Sequence, residues 1–317
     1  MSNLTSNDTT TDVSAPKLRN ALSVIIVLIC LLGLVGNAIV IFYFCFRGKL
    51  NQSTVYILNL AVADFLFSVG CCIFFIYFLG LINGMDTSLE SNRAISTFGE
   101  LLISFTFNAS ILFLATLSCE RCLSVCFPLW YKCRRPTHLS AILSAVMWAL
   151  SLFIMIMERF YNPEHRPTVY IVTSAVFLLL TLLMIGSSVV LLIQIQKTSV
   201  QCRPLKLYIV IIAAIINYLI SLAPSRVVRM VYFFAIIPTK NIKIMSLIVI
   251  NLCSAFNSAA NPYIYIIVGR WKGRVSTTKA LKLAFQENSN QTSEENISMG
   301  SLQSDNDSKS KVSQRQQ

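Results

Sequence analysis

The chain has 317 residues, 55% of them hydrophobic and only 13% charged, against about 25% charged in an ordinary soluble domain. A water-soluble fold cannot hide that much apolar surface. The net charge of +12 is not gathered with aromatic platforms on one soluble face, so nucleic acid is not an expected partner. The two histidines, His138 and His165, stand in opposite loops, and no His, Cys and carboxylate cluster has catalytic or metal spacing, so an enzyme is not expected.

The polar start, Met1 to Asn20, lacks the basic region and short apolar core of a cleavable signal. The first apolar run then acts as an uncleaved signal-anchor, with residues 1–20 outside the cell. Asn3 and Asn7 open Asn-x-Thr triplets in that segment and are expected to carry glycans. Similar triplets at Asn51, Asn108, Asn290, Asn296 and Asn306 fall in the membrane or cytosol.

Seven runs follow, near Ala21 to Phe46, Val55 to Leu79, Phe98 to Cys126, Leu139 to Met157, Val169 to Ile195, Leu205 to Phe234 and Ile244 to Val268. About 20 residues rising 1.5 Å each cross a hydrocarbon core of about 30 Å, so each run is long enough to span. The predicted fold class is an all-α membrane protein, a seven-transmembrane helix bundle over residues 21–268. With the N-terminus outside, thirteen Lys and Arg flank the spans on the cytoplasmic face against seven on the outer face. The positive-inside rule favours that topology.

Residues 269–285 read as a short amphipathic cytoplasmic helix with Trp271, Val275, Leu281 and Phe285 toward the membrane surface. Residues 286–317, rich in Ser, Asn and Gln, read as a disordered tail. There Ser289, Thr292, Ser293 and Ser298 lie beside acids and are expected phosphorylation sites, unless the tail is inert. None of the ten cysteines falls in a predicted outer loop, so no outer disulfide is expected and the thiols read as small buried apolar residues.

Ionisable groups at membrane depth cost about 2.5 to 3.5 kcal/mol or more, so each is a functional candidate. Asp64 falls near the midplane of the second span, with Asn37, Ser110, Asn257, Ser258 and Asn261 at comparable depth. Their oxygens suit a small hard cation, or else form a hydrogen-bonded cluster that binds none. Pro262 and Pro224 break the seventh and sixth spans and make natural hinges, although prolines also occur in rigid membrane helices. Glu120, Arg121 and Cys122 end the third span beside a basic loop, where Glu120 and Arg121 read equally as an interfacial pair. Glu100, Glu158, Arg226 and Arg229 ring the outer mouth, where they bind a charged ligand or pair among themselves.

Gly36-Asn37, Leu60 to Asp64, Glu120-Arg121-Cys122, Trp148, Pro224 and Asn261-Pro262-x-x-Tyr265 in this order resemble the rhodopsin-like (class A) G-protein-coupled receptors. Within that family the stretches from Thr54 to Leu60, Glu120 to Pro136, Lys206 to Ile211 and Ser258 to Pro262 are most similar to the Mas and Mas-related receptors. The resemblance implies a plasma-membrane receptor that passes binding of an extracellular ligand to a heterotrimeric G-protein as the sixth helix swings out. It implies that Arg121 contacts the G-protein, that Asn261 and Tyr265 rearrange, and that Asp64, Ser110, Asn257, Ser258 and Asn261 hold a sodium ion, the sole cofactor-like group expected.

Departures from the family pattern are as informative. Ser96 stands near the position of the usual outer-loop cysteine, Leu222 replaces the tryptophan before Pro224, and Leu182 replaces the helix-five proline. Pro204 stands where many relatives place an acid that pairs with the helix-three arginine, so ligand-free signalling is expected. Ile103 and Ala255 replace the amine-receptor aspartate and the opsin lysine. Glu158 matches an acid that recognises cationic peptides and amines in Mas-related receptors, with Thr168 in place of its companion acid, and Arg226 matches a basic residue in Mas. The expected ligand is a small peptide or amine-like molecule, its carboxylate on Arg226 and Arg229 and its basic group on Glu158 or Glu100. A constitutively active or ligand-scavenging receptor is the alternative. A transporter would require paired inverted repeats, and none is visible.

Overall fold

The computed structural model describes residues 8–48, 50–82, 84, 90–160, 166–197, 205–221, 240–270 and 276–285. They form nine helices: α1 (Asp8–Phe46), α2 (Thr54–Ile82), α3 (Glu90–Cys126), α4 (Pro128–Cys133), α5 (Leu139–Phe160), α6 (Arg166–Lys197), α7 (Leu205–Ser221), α8 (Lys240–Arg270) and α9 (Thr277–Phe285). The five helices α1, α2, α3, α5 and α6, together with α8, contain stretches long and apolar enough to cross a membrane. The seventh, α7, is apolar but shorter within the described residues, because the second half of the predicted sixth span, residues 222–234, lies outside them. The architecture is a seven-helix bundle. Its end carrying α4 and α9 is called the base below, and the opposite end the mouth.

Helix α3 is the axis. In its most apolar 18-residue window 72% of residues are buried, against 22% for α5 and 28% for α6. The polarity of the buried faces is inverted relative to a soluble protein: α5 buries Ser140, Ser144, Ser151, Met155 and Glu158 while Ile142, Phe153 and Ile156 are exposed. In a bilayer lipid is as apolar as leucine, so helices associate through small and polar residues that allow close approach and hydrogen bonding. Many of the serines and threonines donate to a carbonyl one turn back, as where Ser144 donates to that of Ser140 at 2.8 Å and Thr106 to that of Leu102 at 2.7 Å.

Two close approaches depend on glycine. A Cβ on Gly36 of α1 would stand 2.6 Å from Cγ of Pro262 in α8, and one on Gly269 would stand 2.1 Å from the carbonyl oxygen of Ala280 in α9. The first lets α1 pack against the proline of α8, and the second lets the chain turn from α8 into α9.

Three features differ from the sequence expectations. Helix α1 starts at Asp8, ahead of the predicted start at Ala21, and in this added stretch the guanidinium of Arg19 lies 5.8 Å from the ring centroid of Phe78 in α2. Leu281 and Phe285 do not face a membrane surface. Ala280, Leu281, Ala284 and Phe285 form one buried face of α9, and the Phe285 ring packs 5.1 Å from Phe44 and 5.2 Å from Tyr265, because the base of α1 and α8 offers protein where the sequence suggested lipid. Trp271 and Val275 lie outside the described residues. Among the nine described cysteines, all free thiols, only Cys30 and Cys71 are buried, whereas Cys45, Cys126 and Cys133 are exposed near the base.

Replacing Gly36 with alanine would overpack the α1–α8 contact against a rigid ring, at a cost of about 1–3 kcal/mol. We expect a lower thermal unfolding midpoint for Gly36→Ala in detergent, measured by tryptophan fluorescence.

Candidate functional site

The polar residues singled out in the sequence fall into three layers. In the middle layer Asp64 is fully buried and links three helices. Its carboxylate accepts from the Ser110 hydroxyl of α3 at Oδ1 (2.8 Å) and from the Asn261 amide of α8 at Oδ2 (2.8 Å). Ser258 reaches the same residue through its backbone, donating to the Asp64 carbonyl at 3.0 Å.

Pro262 has no N–H to offer the carbonyl of Ser258 one turn earlier. Asn37 of α1 supplies the missing donor at 3.2 Å. The break in α8 is thereby closed by a side chain from another helix, beside the contact that Gly36 permits.

Asn257 is not part of this cluster. Its Oδ1 accepts from Asn217 Nδ2 (3.0 Å) and the Ser221 hydroxyl (3.2 Å), and its backbone carbonyl accepts from Asn217 at 3.1 Å. It therefore fastens α7 to α8. The helical register decides this, since Asn257 and Ser258 are adjacent and point about 100° apart. Asn217 and Ser221, one turn apart on α7, were not singled out in the sequence; a polar pair spaced by four within an apolar run was the available signal.

For a small cation, the relevant observation is that the Oδ1 atoms of Asn37 and Asn261 are buried without a hydrogen-bond partner among the described residues. Asn261 Oδ1, the Asp64 carboxylate and the Ser110 hydroxyl make an all-oxygen donor set suited to a hard ion. Asp64, Ser110 and Asn261 fit the ion by this test, whereas Asn257 is occupied elsewhere.

At the base, Glu120 pairs with Arg135, in the basic segment just beyond α4. Arg135 Nη2 lies 2.5 Å from Glu120 Oε1, with side chains 0% and 5% exposed. The same nitrogen donates to Ser140 Oγ at 2.7 Å, and the Ser140 hydroxyl donates in turn to the carbonyl of Gln52 at 2.9 Å. Arg121 is buried beside this network, and Cys122 is half-buried, its Sγ 3.9 Å from that of Cys126. Burial pushes the Tyr131 phenol up to about 12, only partly offset by the Arg121 charge, so Tyr131 stays neutral. Lys206 at the start of α7 donates to the carbonyl of Gly269 at 3.2 Å, a cation on the C-terminal end of α8. Tyr265 is buried between this end and Phe285.

At the mouth Glu158 is buried. It accepts from Ser104 of α3 at 3.2 Å and from Thr173 of α6 at 3.3 Å. Glu100 is held instead by Arg159, at 2.5 Å on the exposed rim. A cavity of about 390 Å³ opens between α5 and α6, lined by Phe153, Ile154, Met157, Thr168, Val169, Val172 and Thr173. Thr173 thus touches both the cavity and Glu158. Pro224, Arg226, Arg229, Leu222, Pro204, Asn3 and Asn7 lie outside the described residues.

The family model described as "7 transmembrane receptor (rhodopsin family)" matches residues 36–169. The chain is 35% identical to the proto-oncogene Mas of Rattus norvegicus over 81% of each chain. It is also 33% identical to the Mas-related G-protein coupled receptor member X1 of Homo sapiens, over 84% of this chain and 82% of that relative. The chain belongs to the rhodopsin family of seven-transmembrane receptors, among the Mas and Mas-related G-protein coupled receptors. It is a multi-pass membrane protein and not an enzyme.

Replacing Asn217 with leucine removes both of its bonds to Asn257, at a cost of about 1–3 kcal/mol. A depressed unfolding midpoint in detergent, with unchanged helicity by circular dichroism, is the expected outcome.

Proposed function

We propose that the chain is a plasma-membrane receptor, N-terminus outside, in which a small basic peptide or amine-like ligand at the mouth drives a heterotrimeric G-protein onto the base. The carrying observation is the tie between α7 and α8 at two heights, Lys206 on the Gly269 carbonyl at the base and Asn217 with Ser221 on Asn257 at mid-depth. An outward swing of α7 has to break these bonds, none of which is an ion pair, so the closed arrangement is held by neutral and charge-to-dipole contacts. That supports the ligand-free signalling expected from Pro204.

Glu158 is the acid proposed to take the ligand's basic group. Its two hydroxyl partners are neutral and stand at the long end of hydrogen bonding, which leaves its charge available to a cation. Glu100 already has Arg159, which argues against it for that role. Arg226 and Arg229 remain the proposed carboxylate partners. A sodium ion held by Asp64, Ser110 and Asn261 would supply positive charge against the buried carboxylate and hold α2, α3 and α8 together, opposing the open state. Arrestin and receptor kinases are the proposed readers of the tail.

The test is nucleotide exchange on a panel of purified heterotrimeric G-proteins by the full-length receptor in lipid nanodiscs. We expect ligand-free exchange on at least one, reduced about tenfold or more by Arg121→Ala. Failure of every G-protein to respond, to the apo receptor or to a library of short basic peptides, sinks the coupling reading. Replacing choline with sodium should slow exchange by the wild type but not by Asp64→Asn; equal sodium sensitivity in both removes the ion site. For a peptide hit, Glu158→Gln should weaken potency by about tenfold or more.

A further inference from the structure

The short helix α4 follows α3 directly, buries Tyr131 in part, and is fastened at its far end by the side chain of Arg135. Pro128 starts it in the first-turn position that proline favours. It is closed at the other end by Arg134 and Arg135, whose backbone N–H groups both reach the Trp130 carbonyl, at 2.9 and 3.1 Å. The residue whose backbone ends α4 therefore also carries the guanidinium that Glu120 holds.

That guanidinium gathers four parts of the base. It is paired with Glu120 of α3, donates to Ser140 of α5, and through Ser140 reaches Gln52 in the connection between α1 and α2. It also lies 5.2 Å from the ring centroid of Tyr131 in α4 itself. Outward from this anchor α4 and its start present Phe127, Trp130 and Leu129, the last 78% exposed.

The arrangement is expensive for mere stability. Nε and Nη1 of Arg135 are buried without a hydrogen-bond partner among the described residues. A buried ion pair with unmet donors stabilises a fold no better than apolar residues of the same size, so its value lies in fixing one geometry. The pair also solves an electrostatic difficulty. Glu120 adjoins Arg121, and a buried carboxylate deprived of a cation is strongly disfavoured. With Arg135 in place, Glu120 stays neutralised whatever Arg121 contacts.

We propose that Arg135 is a positioning residue for G-protein docking: by capturing Glu120 it pins α4 to the base, with Leu129 outward, and it keeps Glu120 paired when Arg121 turns to the partner. The assignment rests on the G-protein coupling reading for its second half, and the experiment separates the two.

Full-length receptor in lipid nanodiscs is compared as wild type, Arg135→Met, Arg135→Lys, Glu120→Gln and the Glu120→Gln/Arg135→Met double variant. Two quantities are measured without added ligand: hydrogen exchange at the amides of Tyr131, Arg134 and Arg135, and affinity for a nucleotide-free heterotrimeric G-protein. Arg135→Met and Glu120→Gln should each speed those amides about tenfold or more while the middle of α3 keeps its protection. Each should also weaken G-protein affinity by about tenfold, with Arg135→Lys recovering part of both losses and the double variant no worse than either single.

Exchange and affinity within about twofold of wild type in Arg135→Met overturn the proposal, and so do single effects that add in the double variant. Should a single variant fail to fold, the double variant decides, since it removes both charges together. Unchanged amide protection in α4 there overturns the proposal. If wild-type receptor binds no G-protein of the panel, the coupling reading falls, while the exchange measurement still judges the anchoring of α4.

Discussion

Asp64 is buried in the middle of a seven-helix bundle, and a carboxylate at that depth can exist only if other helices bring donors to it. Ser110 and Asn261 do so from α3 and α8, and Ser258 adds a bond to its backbone. Those donors fix where α8 stands relative to α2 and α3. The fixed position of α8 in turn brings the Ser258 carbonyl, left open by Pro262, to Asn37 on α1. Four helices are thus registered against one another by one acidic side chain and one missing N–H.

The apolar majority of the sequence plays a different part. Leucine, isoleucine and phenylalanine face outward from α5 and α6, where lipid accepts them, and serine, threonine and glycine occupy the contacts between helices. With no hydrophobic force to bring helices together inside a bilayer, close approach and hydrogen bonding decide the packing. Gly36 against Pro262 and Ser151 donating to the Phe105 carbonyl are the local form of that rule. Polar contacts are few enough that each constrains a particular helix pair.

Charge is divided between the two ends. At the mouth Glu158 is buried with neutral partners, whereas Glu100 is matched on the rim by Arg159, so the two acids that looked alike in the sequence differ in what they can still bind. At the base one acid, Glu120, stands among two arginines and a phenol that remains neutral. Among the described residues helix α7 is tied to α8 and, through Tyr218 and Thr181, to α6 by hydrogen bonds and not to α3 by an ion pair.

Counting along the chain was enough for the number of spans, the bundle class and the membership of Asp64, Ser110 and Asn261 in one layer. Span length follows from the hydrocarbon thickness, and depth along a helix follows from residue count at 1.5 Å per residue. The kink at Pro262 was legible for the same reason, since the missing N–H is a property of the residue. What counting along the chain leaves undecided is which way a side chain points and what meets it. The tertiary structure turned Asn257 to Asn217 instead of Asp64, gave Glu120 to Arg135, buried Leu281 and Phe285 of α9 against Phe44 and Tyr265, and satisfied the Ser258 carbonyl from α1. Each of those outcomes depends on the rotation of one helix against another, set by long-range packing that no local spacing encodes.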